Sequence, residues 1–176
     1  MTIDHIHVML DLETWGVNPG CAIRSIGAVA FRDEIFKQFY LNITEESCLS
    51  CGLTKDPGTV HWWAHQSEEA KAALEKDQVP LLSALSAFSD FIKFFGSHVR
   101  VWAHGATFDP PILNACYTVN GLRGPIDFRY VRDTRTLYDV FDFDPKTRER
   151  AGTHHNALDD AIFQAECVME VLRGRR

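Results

Sequence analysis

A chain of 176 residues with 45% hydrophobic content is long enough to bury one proper core and short for two domains. Its formal net charge of −6 argues against a protein that coats long nucleic acid through a basic surface. No stretch approaches the roughly 20 apolar residues of a membrane span, and the N-terminus has no basic region followed by a small-residue cleavage site, so a soluble cytoplasmic protein is expected.

The first predicted element, Ile6 to Glu13 (IHVMLDLE), is apolar and strand-like until its end, where Asp11 and Glu13 precede a Thr14-Trp15-Gly16 turn. Side chains alternate on a strand, so the two carboxylates share one face while Leu10 and Leu12 point to the core. Their Cα atoms then lie roughly 6.5 to 7 Å apart, at about 3.3 Å per residue, close enough to bind one hard cation or bridge to a second. Burying two acids unpaired is costly, and a divalent ion removes that cost. The plainer alternative is a pair of solvated acids where a strand leaves the sheet.

Cys21 to Phe31 and Ile35 to Asn42 read as two further strands joined at Arg32-Asp33-Glu34, an antiparallel meander with the first. Five cysteines form an odd set with a single CxxC, Cys48 to Cys51, in a loop-like stretch; they read as free thiols. Short helices follow over Thr59 to Gln66 and Ser67 to Leu74, then a longer one from Leu81 to Phe95 with Leu82, Leu85, Phe88, Ile92 and Phe95 at helical spacing. His98 to His104 is the fourth strand, and a helix opening on Asp109-Pro110-Pro111 comes next. Asp127 to Val131 reads as the fifth strand, with a short helix from Thr134, a charged loop over Asp142 to Thr153, and a last helix from Asn156 to Leu172. The order predicts an α/β fold, a mixed five-stranded sheet flanked by helices.

Three more residues qualify for chemistry by their setting. Asp109 stands where a strand gives way to a helix, an edge location that suits a site and equally suits an N-cap. Asp160 lies one turn into a last helix lined by Ala157, Ala161 and Ala165, small enough to pack against a sheet; Asp159 is its rival, and periodicity does not choose between them. His155 has a side chain that titrates near working pH and can serve as general base.

Together these residues resemble the DEDDh family of 3′-5′ exonucleases, which have a ribonuclease H-like fold. The matching motifs are Asp11-Leu12-Glu13-Thr14, the junction ending in Asp109, and His155-x-Ala157-x-x-Asp160-Ala161. The resemblance spans nearly the whole chain as one exonuclease domain, residues 1–176. It selects Asp160, which stands five after the histidine. The Trp62-Trp63 segment, VWAHGATFD and Arg132 to Leu137 are similar to a branch of small stand-alone proteins containing phage and prophage exodeoxyribonuclease VIII-like members and a mycobacterial exoribonuclease.

The resemblance implies two Mg²⁺ or Mn²⁺ ions held by Asp11, Glu13, Asp109 and Asp160, with His155 as base and nucleoside 5′-monophosphates released from a free 3′ end of RNA or DNA. Two such ions would bring the formal charge to about −2, which relaxes the objection raised by acidity. Thr14 and Trp15 are then candidates for holding the terminal sugar, Trp15, Phe108 and Trp62 or Trp63 for base stacking, and Arg132 and Arg135 for phosphate. Asp133 beside those arginines equally suits a local salt bridge, and core packing equally suits the tryptophans. Other basic clusters (Arg129; Lys146, Arg148, Arg150; Arg173, Arg175, Arg176) read as solvated faces. Homodimerisation is a family expectation. The competing readings keep the fold: a catalytically silent binding protein, or an internal-strand nuclease, against which the histidine-to-aspartate spacing speaks.

Overall fold

Strand β1 (His7–Thr14) runs through the middle of the computed structural model, which describes residues 5–96 and 98–174. Arg175 and Arg176 lie outside the described residues. β1 pairs antiparallel with β2 (Ile23–Phe31), which pairs antiparallel with β3 (Ile35–Asn42), the expected meander. On its other side β1 pairs in parallel with β4 (Arg100–Ala103), and β4 with β5 (Val131–Asp133). The sheet order is β3-β2-β1-β4-β5.

The helices are α1 (Glu45–Ser50), α2 (Pro57–Ala64), α3 (Glu68–Leu74), α4 (Leu81–Phe94), α5 (Asp109–Val119), α6 (Thr134–Val140) and α7 (Ala157–Gly174). Alternation along β1 divides the core. Val8, Leu10 and Leu12 join α4 and α5 residues in one apolar layer, while Met9 joins α6 and α7 residues on the opposite face. Each large side chain taken fully from water there contributes about 1.5–3 kcal/mol. Asp11 and Glu13 follow the parity of Met9 and so face α7.

Three expectations are corrected. Phe128–Tyr130 is a 3₁₀ turn, and the fifth strand starts at Val131. The cause is local: the Asp127 carboxylate accepts the Arg129 backbone N–H at 3.0 Å and curls the chain. The CxxC stretch is helical, since Cys48 lies in α1 and Cys51 caps it; all five thiols are free. In α4 the buried stripe begins at Leu81, leaving Leu82 54% exposed. Among the described residues no helix is long and apolar enough to cross a membrane.

Candidate active site

Two small-residue devices bring α7 onto the end of β1. Ala157, Ala161 and Ala165 form a buried stripe at four-residue spacing. Opposite them stands Gly27 of β2, the register partner of Asp11; a Cβ there would meet the Ala157 carbonyl carbon and oxygen at 2.2 Å. The backbone of the first turn of α7 therefore rests directly on β2. Asn156 starts this turn, its Oδ1 accepting the N–H groups of Leu158 (3.1 Å) and Asp159 (3.2 Å).

That contact assembles the acids. Glu13 and Asp160 are buried, Asp11 is half-buried, and ligand-capable atoms of Glu13, His155 and Asp160 all lie within 4.8 Å of one another. Asp109, buried as the first residue of α5, accepts the Leu12 N–H at 3.0 Å, which ties the helix start to β1. Asp159 turns away: its Oδ2 accepts the Thr153 N–H at 2.8 Å and closes the loop before α7.

All five motif residues line one cleft of about 950 Å³. Thr14, Trp62, Trp63, Phe108 and Arg135 line it too, whereas Trp15 and Arg132 do not. Trp15 packs against the Arg24 guanidinium, 4.1 Å from its ring centroid, and Arg132 donates to the Arg129 and Val131 carbonyls. Asp133 forms no ion pair with Arg132 or Arg135 among the described residues; it caps α6 through Thr136 and accepts the Ala106 N–H at 2.6 Å. Trp63 is 3% exposed and donates Nε1–H to the Thr14 carbonyl at 2.8 Å, while Trp62 is 43% exposed, so one of the pair does face inward.

Electrostatics in the cleft are strained by crowding. Burial pushes Glu13 up to about 8 and Asp109 up to about 7; Asp11 also rises well above the carboxylate range, through burial first and then its neighbours Asp109 and Glu13. Partial relief comes from Gln164, whose Nε2 donates to Asp11 Oδ1 at 2.8 Å, and from Arg150, whose Nη2 donates to Asp160 Oδ1. Arg24 opposes the rise at Glu13. It is the extra residue of a β-bulge, because pairing steps from Glu13–Ser25 to Thr14–Ile23. His155 sits at φ +62° with its ring 4.8 Å from that of Trp62, and burial first, then the neighbouring His154 and Arg150, lower its pKa.

Gln164, Arg150, Arg24 and the cleft-lining His104 were not singled out for the site from sequence. Only Gln164 left a usable signal, standing one helical turn after Asp160 on the same face.

A family model described as 3′-5′ exoribonuclease Rv2179c-like domain matches residues 6–172. No curated protein matches the chain. Among solved structures, the nuclease domain of 3′hExo, a DEDDh family member bound to rAMP, superposes with a TM-score of 0.70 at 14% identity, covering 96% of this chain and 92% of that one. A 3′-exonuclease described in 3′-end specific recognition of a histone mRNA stem-loop gives 0.63 at 13%, covering 96% and 82%. Cell-death related nuclease 4 gives 0.61 at 12%, covering 96% and 64%. At these identities the likeness is one of fold.

Proposed function

The chain belongs to the 3′-5′ exoribonuclease Rv2179c-like family, and on that premise we propose that it is a DEDDh-type 3′-5′ exonuclease that removes nucleoside 5′-monophosphates from free 3′ ends of RNA with the help of two divalent cations. The observation that carries this reading is the convergence of Asp11, Glu13, Asp109, Asp160 and His155 on one cleft.

The donor set suits Mg²⁺ or Mn²⁺. Carboxylate oxygens are hard ligands, and the raised affinities of Asp11, Glu13 and Asp109 for protons reveal a site short of positive charge. Asp11, Glu13, Asp109 and Asp160 would hold the ions. Divalent ions bound there supply Lewis-acid polarisation of the scissile phosphate and lower the pKa of the attacking water.

The chain's own groups supply the rest. His155, its ring beside that of Trp62 and its pKa lowered by burial, takes the proton of the attacking water on a ring nitrogen. Thr14 already donates its hydroxyl proton to the Gly16 carbonyl at 2.7 Å, so its oxygen is free to accept from a terminal 3′-OH, which favours an unblocked end. Phe108 and Trp62 offer ring faces to the last bases, and Arg135 offers a cation to a phosphate in the same cleft.

The test compares 5′-labelled single-stranded RNA and DNA of one sequence, with free or blocked 3′ ends, in Mg²⁺ or Mn²⁺. Stepwise shortening from free 3′ ends, faster on RNA and absent in Asp160→Ala, is the expected result. Metal-dependent cleavage of blocked strands would replace the exonuclease by an internal-strand nuclease, and no cleavage of any strand would leave a binding protein.

A further inference from the structure

Beside the cleft lies a second cavity of about 530 Å³, running along α5 from Pro110 to Tyr117 and closed by residues 123–131. Ala106 and Pro110 line it, whereas Thr107, Phe108 and Asp109 line the cleft, so one short stretch of chain walls both spaces. Its lining mixes apolar residues, Leu113, Pro125 and Ile126 among them, with polar ones such as Asn114.

At its rim stands Phe128, 85% exposed. A single exposed aromatic is ordinary, but the backbone of this one lies in the 3₁₀ turn that Asp127 caps, and it lines a cavity. Two arginines share the rim. Arg129 is clamped by the Asp127 carboxylate, with Nε at 3.0 Å and Nη2 at 2.6 Å, and Arg123 lies close enough to depress that carboxyl as well. Two guanidinium groups against one carboxylate leave a net positive rim on a protein of formal charge −6.

We propose that this cavity is an auxiliary subsite for the substrate strand, in which an unpaired base upstream of the 3′ terminus stacks on Phe128 while Arg123 and Arg129 meet the flanking phosphates. The shared wall makes the two spaces neighbours along one strand, and the positive rim matches a polyanion. An aromatic face beside guanidinium groups recognises single-stranded nucleic acid with little regard to sequence, because every base has a π-face. A duplex presents no free base face there, so the subsite selects unpaired ends. The inference rests on the nuclease reading of the adjoining cleft.

The experiment measures KM and kcat of wild type, Phe128→Ala, Phe128→Leu and Phe128→Trp on an RNA dinucleotide and an RNA decanucleotide. The exposure of Phe128 means that none of these changes removes a core contact. Phe128→Ala and Phe128→Leu are expected to raise KM for the decanucleotide about tenfold and leave the dinucleotide unchanged, with Phe128→Trp restoring the longer substrate. An unchanged decanucleotide KM, an equal rise on both substrates, or full rescue by Leu would overturn the proposal. Rescue by Leu together with a change of mass in solution would assign Phe128 to contact with a second copy. If wild type hydrolyses neither RNA, the nuclease reading fails separately; photocrosslinking of a 5-iodouracil decanucleotide to the metal-free protein then decides, with adducts at Phe128 supporting the subsite and their absence overturning it.

Discussion

Gly27 and Ala157, far apart in the chain, touch backbone to backbone: a Cβ on the glycine would stand 2.2 Å from the alanine carbonyl. Since His155 and Asp160 ride on the same start of α7, this contact sets their distance from Asp11 and Glu13. Gly27→Ala should therefore push the helix off the sheet. We expect a loss of about 1–3 kcal/mol of stability, as for other overpacked interiors, and at least a tenfold loss of metal-dependent cleavage. Thermal melts and Mn²⁺ titration calorimetry check both, and wild-type metal affinity in the variant would refute the link.

Protonation should couple the acids to stability. Glu13 rises from an ordinary 4.5 to about 8 and Asp109 from 3.8 to about 7, so between those limits the folded chain holds protons that the unfolded chain has released. Stability of the metal-free protein is then greatest on the acid side and falls as pH rises from about 4 through about 8. Mn²⁺ should restore several degrees of melting temperature at pH 8 and almost none at pH 5, where it competes with bound protons. Glu13→Gln should flatten the slope, which melts across pH in EDTA would read.

Arg150 pairs with Asp160, one of the proposed cation ligands, and its guanidinium carbon is 5.3 Å from the centre of the Phe163 ring. Removing it should have opposite effects on two measurements. Arg150→Ala loses a charge partner in the metal-free state and lowers its melting temperature, yet it frees Asp160 and should tighten Mn²⁺ binding severalfold. Calorimetry that shows weaker binding would instead make Arg150 part of the loaded site.

Asp159 and Asp160 are consecutive in α7 and differ in role. Asp160→Ala should abolish cleavage with little change in fold, whereas Asp159→Ala should loosen the Gly152–Thr153 loop and keep most activity. Equal loss in both variants, with intact melts, would remove the distinction.

Gln164 reaches Asp11 by the hydrogen bond at 2.8 Å. Groups that orient a ligand in this manner typically matter 10- to 100-fold in metal affinity. Gln164→Leu, near in volume and without the donor, should weaken Mn²⁺ binding by about tenfold and raise the Mn²⁺ concentration needed for half-maximal rate.

What could be read along the chain was whatever depends on near neighbours. Alternation placed Asp11 and Glu13 on one face and Leu10 and Leu12 in the core, as the structure has them. The small residues of the last helix announced close packing, and the strand-helix junction announced Asp109. Asp159 and Asp160 stayed rivals by periodicity, and it was the resemblance that chose between them; their hydrogen bonds now separate them.

By itself, then, the sequence determined a mixed α/β chain with acids on one strand face and a histidine and an acid at the start of its last helix. Only the tertiary structure decided how they meet: Gln164 bonds Asp11 across 153 positions and Asp109 bonds Leu12 across 97. It also drew Trp15 onto Arg24 and out of the cleft, brought Arg150 to Asp160, and seated α7 on Gly27. Periodicity reports which face a side chain occupies, because backbone geometry repeats over a few residues. It carries no term for which faces are pressed together, since that follows from the packing of the whole core.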